Sequence, residues 1–168
     1  MSCLRSARWR VTRIAVFGLM AWAAVVASAA AQDTVNIVVP PAVSFSVTDV
    51  TQSTSGGPNP MTVSFSNAHL SPGRALRVSV QADGAAFTPP SGLGIPTSKV
   101  SWSTVGAGGG TGWNGTLSSS SYALVFQSDP ARTSGHIDLA WTLAAPGSGI
   151  RAGSHQLTIR WKLESITP

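Results

Sequence analysis

The chain has 168 residues, a formal charge of +5 and only 10% charged side chains, against a usual ~25%. Four of its 11 basic residues, Arg5, Arg8, Arg10 and Arg13, stand at the very start, and all 6 acidic residues come later, so the chain from Gln32 onward is close to neutral. That balance leaves no Lys/Arg cluster for a nucleic acid. The apolar share of 43% is too high for a disordered chain, and 17 glycines and 11 prolines do not suit a solvated helical bundle.

The first segment has the three parts of a secretory signal. Met1–Arg13 is a positive stretch, Ile14–Val26 an apolar run, and Ala27–Ala31 a string of small residues. The apolar run is short of the roughly 20 residues that span a bilayer. Cleavage after Ala31 or after Ala29 both satisfy the small-x-small rule, with Ala31 preferred; a retained N-terminal anchor is the alternative. The expected division is therefore a signal peptide over 1–31 and one domain over 32–168, placed outside the cytoplasm as a secreted, periplasmic or cell-surface protein. Cys3 is the only cysteine and leaves with the signal, so the domain must be held by its core and not by disulfides.

Beyond Gln32 the pattern alternates with period two. An apolar opening at Thr34–Val39 is followed by alternating runs at Val43–Val47, Val63–Phe65, Leu76–Val80, Val100–Trp102, Ile137–Leu143 and Leu157–Leu163. Tyr122–Phe126 reads as a further, buried stretch. Breakers fall at Ser53–Pro60, Ser71–Gly73, Pro89–Pro96, Gly106–Gly115 and Pro146–Gly153, and Ser66–Ser71 has room for one helical turn. About eight strands at this spacing predict an all-β fold, a single antiparallel Ig-like β-sandwich. The outward residues are mostly Ser and Thr. The last two strands are expected to pair as a hairpin, with Leu143 opposite Leu157, Trp141 opposite Ile159, Leu139 opposite Trp161 and Asp138 opposite Lys162.

The closing segment Ala152-Gly153-Ser154-His155-Gln156-Leu157-Thr158-Ile159-Arg160-Trp161-Lys162-Leu163 resembles the end of bacterial surface sandwiches, above all WxL-type cell-wall domains. Trp141-Thr142-Leu143 supplies a second Trp-x-Leu, and pilin-like subunits close with a similar Ala-Gly turn and alternating strand. The resemblance covers the last thirty or so residues. It implies a surface location and noncovalent wall attachment. In this pattern an aromatic follows the Ala-Gly turn; here His155 takes that place.

Residues with chemistry are sparse. His69, His136 and His155 are scattered, without the clustered ligands that zinc or calcium require, and read as surface or strand-edge side chains. Glu164 is the only Glu, and Asp129 precedes Pro130 in a turn, so no carboxylate pair for glycoside hydrolysis is suggested. Gly110-Thr111-Gly112-Trp113-Asn114-Gly115 matches a dinucleotide pattern in letters only, because β pattern flanks it on both sides where a strand and a helix are needed; it reads as a flexible loop. No catalytic residue, metal ligand or cofactor site is therefore assigned. Trp113, with its neighbour Asn114, is the one candidate ligand site: a loop indole offers large area at low entropy cost. The competing reading folds Trp113 back to plug the end of the sandwich.

Two functions follow as expectations. The first is a non-catalytic surface or extracellular structural protein that assembles with other surface subunits, or with copies of itself, through strand addition at Thr34–Val39. The preferred arrangement pairs that segment within its own chain. The second is a carbohydrate- or wall-polysaccharide-binding module using Trp113. No nucleic acid partner, and no membrane after signal removal, is expected.

Overall fold

The computed structural model describes residues 32–40, 42–87 and 93–168. The signal peptide read over 1–31 lies outside them. Among the described residues no helix is long and apolar enough to cross a membrane, and the fold is all-β apart from one 3-10 turn at Thr97–Lys99.

The strands are β1 (Thr34–Val38), β2 (Ala42–Val47), β3 (Thr54–Gly57), β4 (Met61–His69), β5 (Ala75–Ala82), β6 (Ala86–Phe87), β7 (Ile95–Pro96), β8 (Val100–Gly108), β9 (Gly110–Gly112), β10 (Gly115–Thr116), β11 (Ala123–Ser128), β12 (Gly135–Leu143) and β13 (Gly153–Ile166). All eight expected strands are present. The other five are short: β3, β7 and β9 lie inside stretches read as breakers, β10 starts at the end of one and β6 lies just before one; the single helical turn expected at Ser66–Ser71 is mostly strand β4.

One large antiparallel sheet runs through the molecule in two arms. The first arm is β1-β4-β12-β8-β10 and the second is β2-β13-β5-β11-β9. β3 joins them by pairing with β12 on one side and β2 on the other. The arms fold back on each other: Phe65 of β4 and Phe126 of β11 stand on different arms, yet their rings are 5.9 Å apart.

Alternation fixes what lies between the arms. Val43, Phe45, Val47, Val63, Phe65, Val78, Val80, Ile137, Leu139, Trp141, Leu143, Leu157 and Ile159 are all buried in one continuous apolar cluster. Trp141 and Trp102 are direct cross-strand partners with centroids 5.3 Å apart and planes tilted by 49°, a geometry that adds about 0.5–1.5 kcal/mol to the burial itself. β3 reaches this core only because residue 56 is glycine. A Cβ there would stand 2.8 Å from Val43 Cγ1 and 2.9 Å from Trp141 Cβ. The glycines that mimic a loop in the sequence are what let β3 lie flat against the indole.

The expected β12–β13 hairpin does not form. β12 is filled along one edge by β4 and β3 and along the other by β8. β13 lies in the other arm, with β2 and β5 as partners. Leu143 therefore faces Val100 and Thr54, Asp138 faces Thr62 and Gly106, Trp161 faces Val80 and Lys162 faces Ser79. The connection between them crosses from arm to arm and is fastened on the way. Lys99 Nζ donates to the carbonyls of Ala145 and Pro146 at 2.8 and 2.9 Å, and Gly147 N–H donates to Val50 O at 2.9 Å.

β1 pairs with β4 of the same chain, with Ile37 opposite Phe65 and Val38 opposite Ser64. Val35, Ile37 and Val39 pack against the core, while Val38 points away and is 69% exposed. The start of β1 is tied down by Asp33. Its Oδ1 accepts from Ser71 N–H at 2.6 Å and Ser71 Oγ at 2.7 Å, and its Oδ2 accepts from Ser165 Oγ at the end of β13. Arg74 Nη1 lies 3.7 Å from the same carboxylate and donates to Ser165 O at 2.9 Å.

Candidate functional site: the outer face of the second arm

Cross-strand partners in an antiparallel ladder share a face, so the registers map the solvent side of the second arm. Glu164, Arg77, Gln127 and Thr111 form one row across β13, β5, β11 and β9. Lys162, Ser79 and Leu124 form the next. Lys162 Nζ lies 5.7 Å from the centroid of the Tyr122 ring, which puts that ring on this face too. Tyr122 is 42% exposed; the stretch read as buried from residue 122 begins its burial later, at Val125 and Phe126.

Trp113 follows β9 directly. Its N–H donates to Val125 O at 2.9 Å, so it continues the ladder with β11. Gly112 before it is turned inward, where a Cβ would meet Thr104 and Ile137. Alternation then places the Trp113 indole on the outer face, 37% exposed. The segment is not a flexible loop. Trp102 Nε1 donates to Trp113 O at 2.8 Å, and Thr104 N–H donates to Asn114 Oδ1 at 2.8 Å. Gly115 lies flat on Trp102, where a Cβ would stand 2.4 Å from the indole ring. Asn114 is thus occupied in holding β8, and Trp113 is a partly exposed indole on a backbone held by hydrogen bonds from both sides. It does not plug the core.

The charges on this face are mostly paired. Arg160 Nε and Nη2 both contact Asp83 Oδ1, and Lys162 Nζ lies 2.8 Å from Glu164 Oε1. Arg77 differs: its Nε is buried without a hydrogen-bond acceptor, and none of the described carboxylates pairs with it. In the sequence Arg77 reads only as one more outward position of an alternating strand. Its isolation depends on partners far away in the chain.

Small cavities open elsewhere among the described residues. One of about 260 Å³ is lined by Asp83, Gly84, Ala86, Phe87, Gln156, Leu157 and Thr158, and its single acid is the one already paired with Arg160. Another, about 170 Å³, sits beside Asp33, Val35, Leu70 and Ser165. Hydrogen bonds from Ser165 and Ser71 hold the Asp33 carboxyl below its ordinary value, with Arg74 adding to the effect.

The histidines are apart from one another. His69 and His136 are exposed, and His136 Nε2 lies 3.9 Å from Asp138 Oδ2. His155, read as a surface or strand-edge residue, is 3% exposed. It is opposite Phe45 on the inward side of β13, with Nε2 in a 3.0 Å hydrogen bond to Arg151 O. The alternation of β13 sends position 155 inward, so the imidazole occupies an aromatic's place in the core. Among the described residues no group of three His, Cys, Asp or Glu side chains comes together. No family model matches the chain, and the searches of curated proteins and of solved structures returned no match either.

Proposed function

We propose that this chain is an exported, non-catalytic Ig-like β-sandwich that serves as a structural or assembly subunit at the cell surface or in the extracellular space. The observation that carries this reading is the free edge of β1. Native sheets guard an exposed edge with charges, prolines or bulges. β1 is Thr-Val-Asn-Ile-Val, with no charge; its register with β4 shifts between Thr34 and Asn36, and the regular stretch Asn36–Val38 before Pro40 ends on the 69% exposed Val38. Its inner edge is taken by β4, so a neighbour is added alongside a completed domain and no strand need be donated. The partner that fits is a strand edge of another surface subunit or of a second copy. Cross-linking and size-exclusion chromatography of the purified protein test this. Val38→Lys is expected to abolish assembly while leaving the melting temperature in place. A wild-type protein that stays monomeric at high concentration, alone and with its envelope fraction, would refute the reading.

A second reading is favoured by the outer face of the other arm: a module that binds carbohydrate, including wall polysaccharide, through Trp113. A partly exposed indole on a backbone fixed at both its N–H and its carbonyl suits a stacking platform. The Trp-x-Leu resemblance fits either reading through location alone. Trp141 and Leu143 are fully buried, and the Trp161 indole is half-buried and donates to Pro40 O at 3.2 Å. These side chains support the core and are not offered to a wall polymer.

A further inference from the structure

We infer that the outer face of β13-β5-β11-β9 binds an anionic polysaccharide, with Trp113 and Tyr122 stacking on sugar rings and Arg77 taking a ring carboxylate. This rests on the carbohydrate reading of Trp113 and names the class of polymer.

The argument for an anion is charge complementarity. Of the three basic side chains on this face, Arg160 and Lys162 already hold acids. Arg77 has no counter-ion among the described residues, and its Nε is buried beneath the rest of the guanidinium. The two Nη groups are not buried and have no hydrogen-bond acceptor among the described residues, and a planar guanidinium presents these paired donors to a carboxylate in two-point contact. Glu164 is the direct cross-strand partner of Arg77, yet its carboxylate is held by Lys162. The Lys162–Glu164 pair therefore keeps the native acid away from the site.

The argument for a sugar is the company Arg77 keeps. Gln127 and Thr111 continue its row toward Trp113, giving short neutral hydrogen-bonding groups between a cation and an indole. Tyr122 has Lys162 against its ring and is 42% exposed, which leaves aromatic surface for the apolar side of a pyranose. A nucleic acid would need several free cations, and among the described residues this face has one. A peptide adding by its backbone would use a strand edge, whereas these groups stand on the flat of the sheet.

Affinity electrophoresis of the purified protein in gels carrying polygalacturonate, dextran or poly-glutamate tests the inference. Polygalacturonate is expected to retard the protein, less so as salt is raised. Arg77→Gln should weaken retardation by about tenfold, a loss of one charge-assisted contact, and Trp113→Ala should weaken it as well. Arg77→Lys, which keeps the charge and loses the planar fork, should fall between, and thermal melting of each variant checks that it is folded. Retardation by polygalacturonate that survives Arg77→Gln would overturn the inference. Equal retardation by dextran, lost in Trp113→Ala, would overturn the anionic class and leave the carbohydrate reading standing. Equal retardation by poly-glutamate would make the face a general acidic-polymer site and refute the sugar. No retardation by either polysaccharide would refute both.

Discussion

The two arms present opposite kinds of surface. The strands of the first arm, β1, β4, β12, β8 and β10, contain no Lys or Arg. Their outer side is mostly Ser, Thr, Ala and Gly, interrupted by the exposed Val38 and Val105, with His136 and Asp138 lying over Gly108 and Gly106. Asp138 is engaged there by Thr62 Oγ1 at 2.6 Å. The second arm carries Arg77, Arg160, Lys162, Glu164, Tyr122 and Trp113. A chain-wide composition averages the two into a bland Ser/Thr protein. Divided by arm, it is one small-residue surface ending in an uncharged edge and one surface with long charged and aromatic side chains. The inner sides are alike, because both must fill the same core.

The strongest way to break this comparison is to remove the hinge between the arms. Gly56→Leu forces a side chain into space held by Val43 and Trp141, and unfolding or aggregation on expression is the expected outcome. Trp141→Ala should cost about 3–5 kcal/mol, read as a fall in denaturation midpoint with both faces lost together. If either variant kept its melting temperature and lost only one surface activity, the arms would not share a core as described.

A smaller effect is expected at the Asp33 clasp, which ties the β1 edge of the first arm to the end of β13 in the second. The folded carboxyl lies below its ordinary value. Its contribution to stability is therefore complete above the ordinary carboxylate range and is lost as pH falls through the lower folded value. Asp33→Asn should lower the melting temperature at neutral pH, and the gap from wild type should close in acid. A gap that widened on acidification would contradict the hydrogen-bond arrangement.

Trp113→Ala should cost about 1 kcal/mol or less, because the bonds that fix the turn belong to its backbone. Val38→Lys should be the mildest, within about 0.5 kcal/mol, measured by the same melts. Together they sharpen the comparison. Loss of polymer binding should follow the first substitution alone and loss of assembly the second alone.

Much of the fold was legible from residues 34 to 163, since alternation marks a half-buried strand wherever side chains are large enough to declare a face. It failed where a strand is built from small residues. Thr54–Gly57 and Gly110–Gly112 are strands because glycine permits close approach, and no apolar period can advertise that. Pairing was less legible than strand position. Leu139, Trp141 and Leu143 match Leu157, Ile159 and Trp161 well as a hairpin, and nothing local reveals that β12 is already occupied along both edges. The candidate site was half legible. Trp113 stands out among glycines, but its rigidity, the exposure of Tyr122 and the isolation of Arg77 arise from residues brought together across the sheet.

The Asp33–Ser165 contact also bears on the chain's connectivity. It sets the two ends of the described body side by side, so a linker of a few residues would close it into a ring without moving a strand. Such a ring could be reopened in the exposed turn at 129–132 between β11 and β12. Every ladder would survive. The order in which the strands are strung is thus separable from the arrangement they adopt, and a permuted chain with new ends at this turn should fold to the same two-faced body.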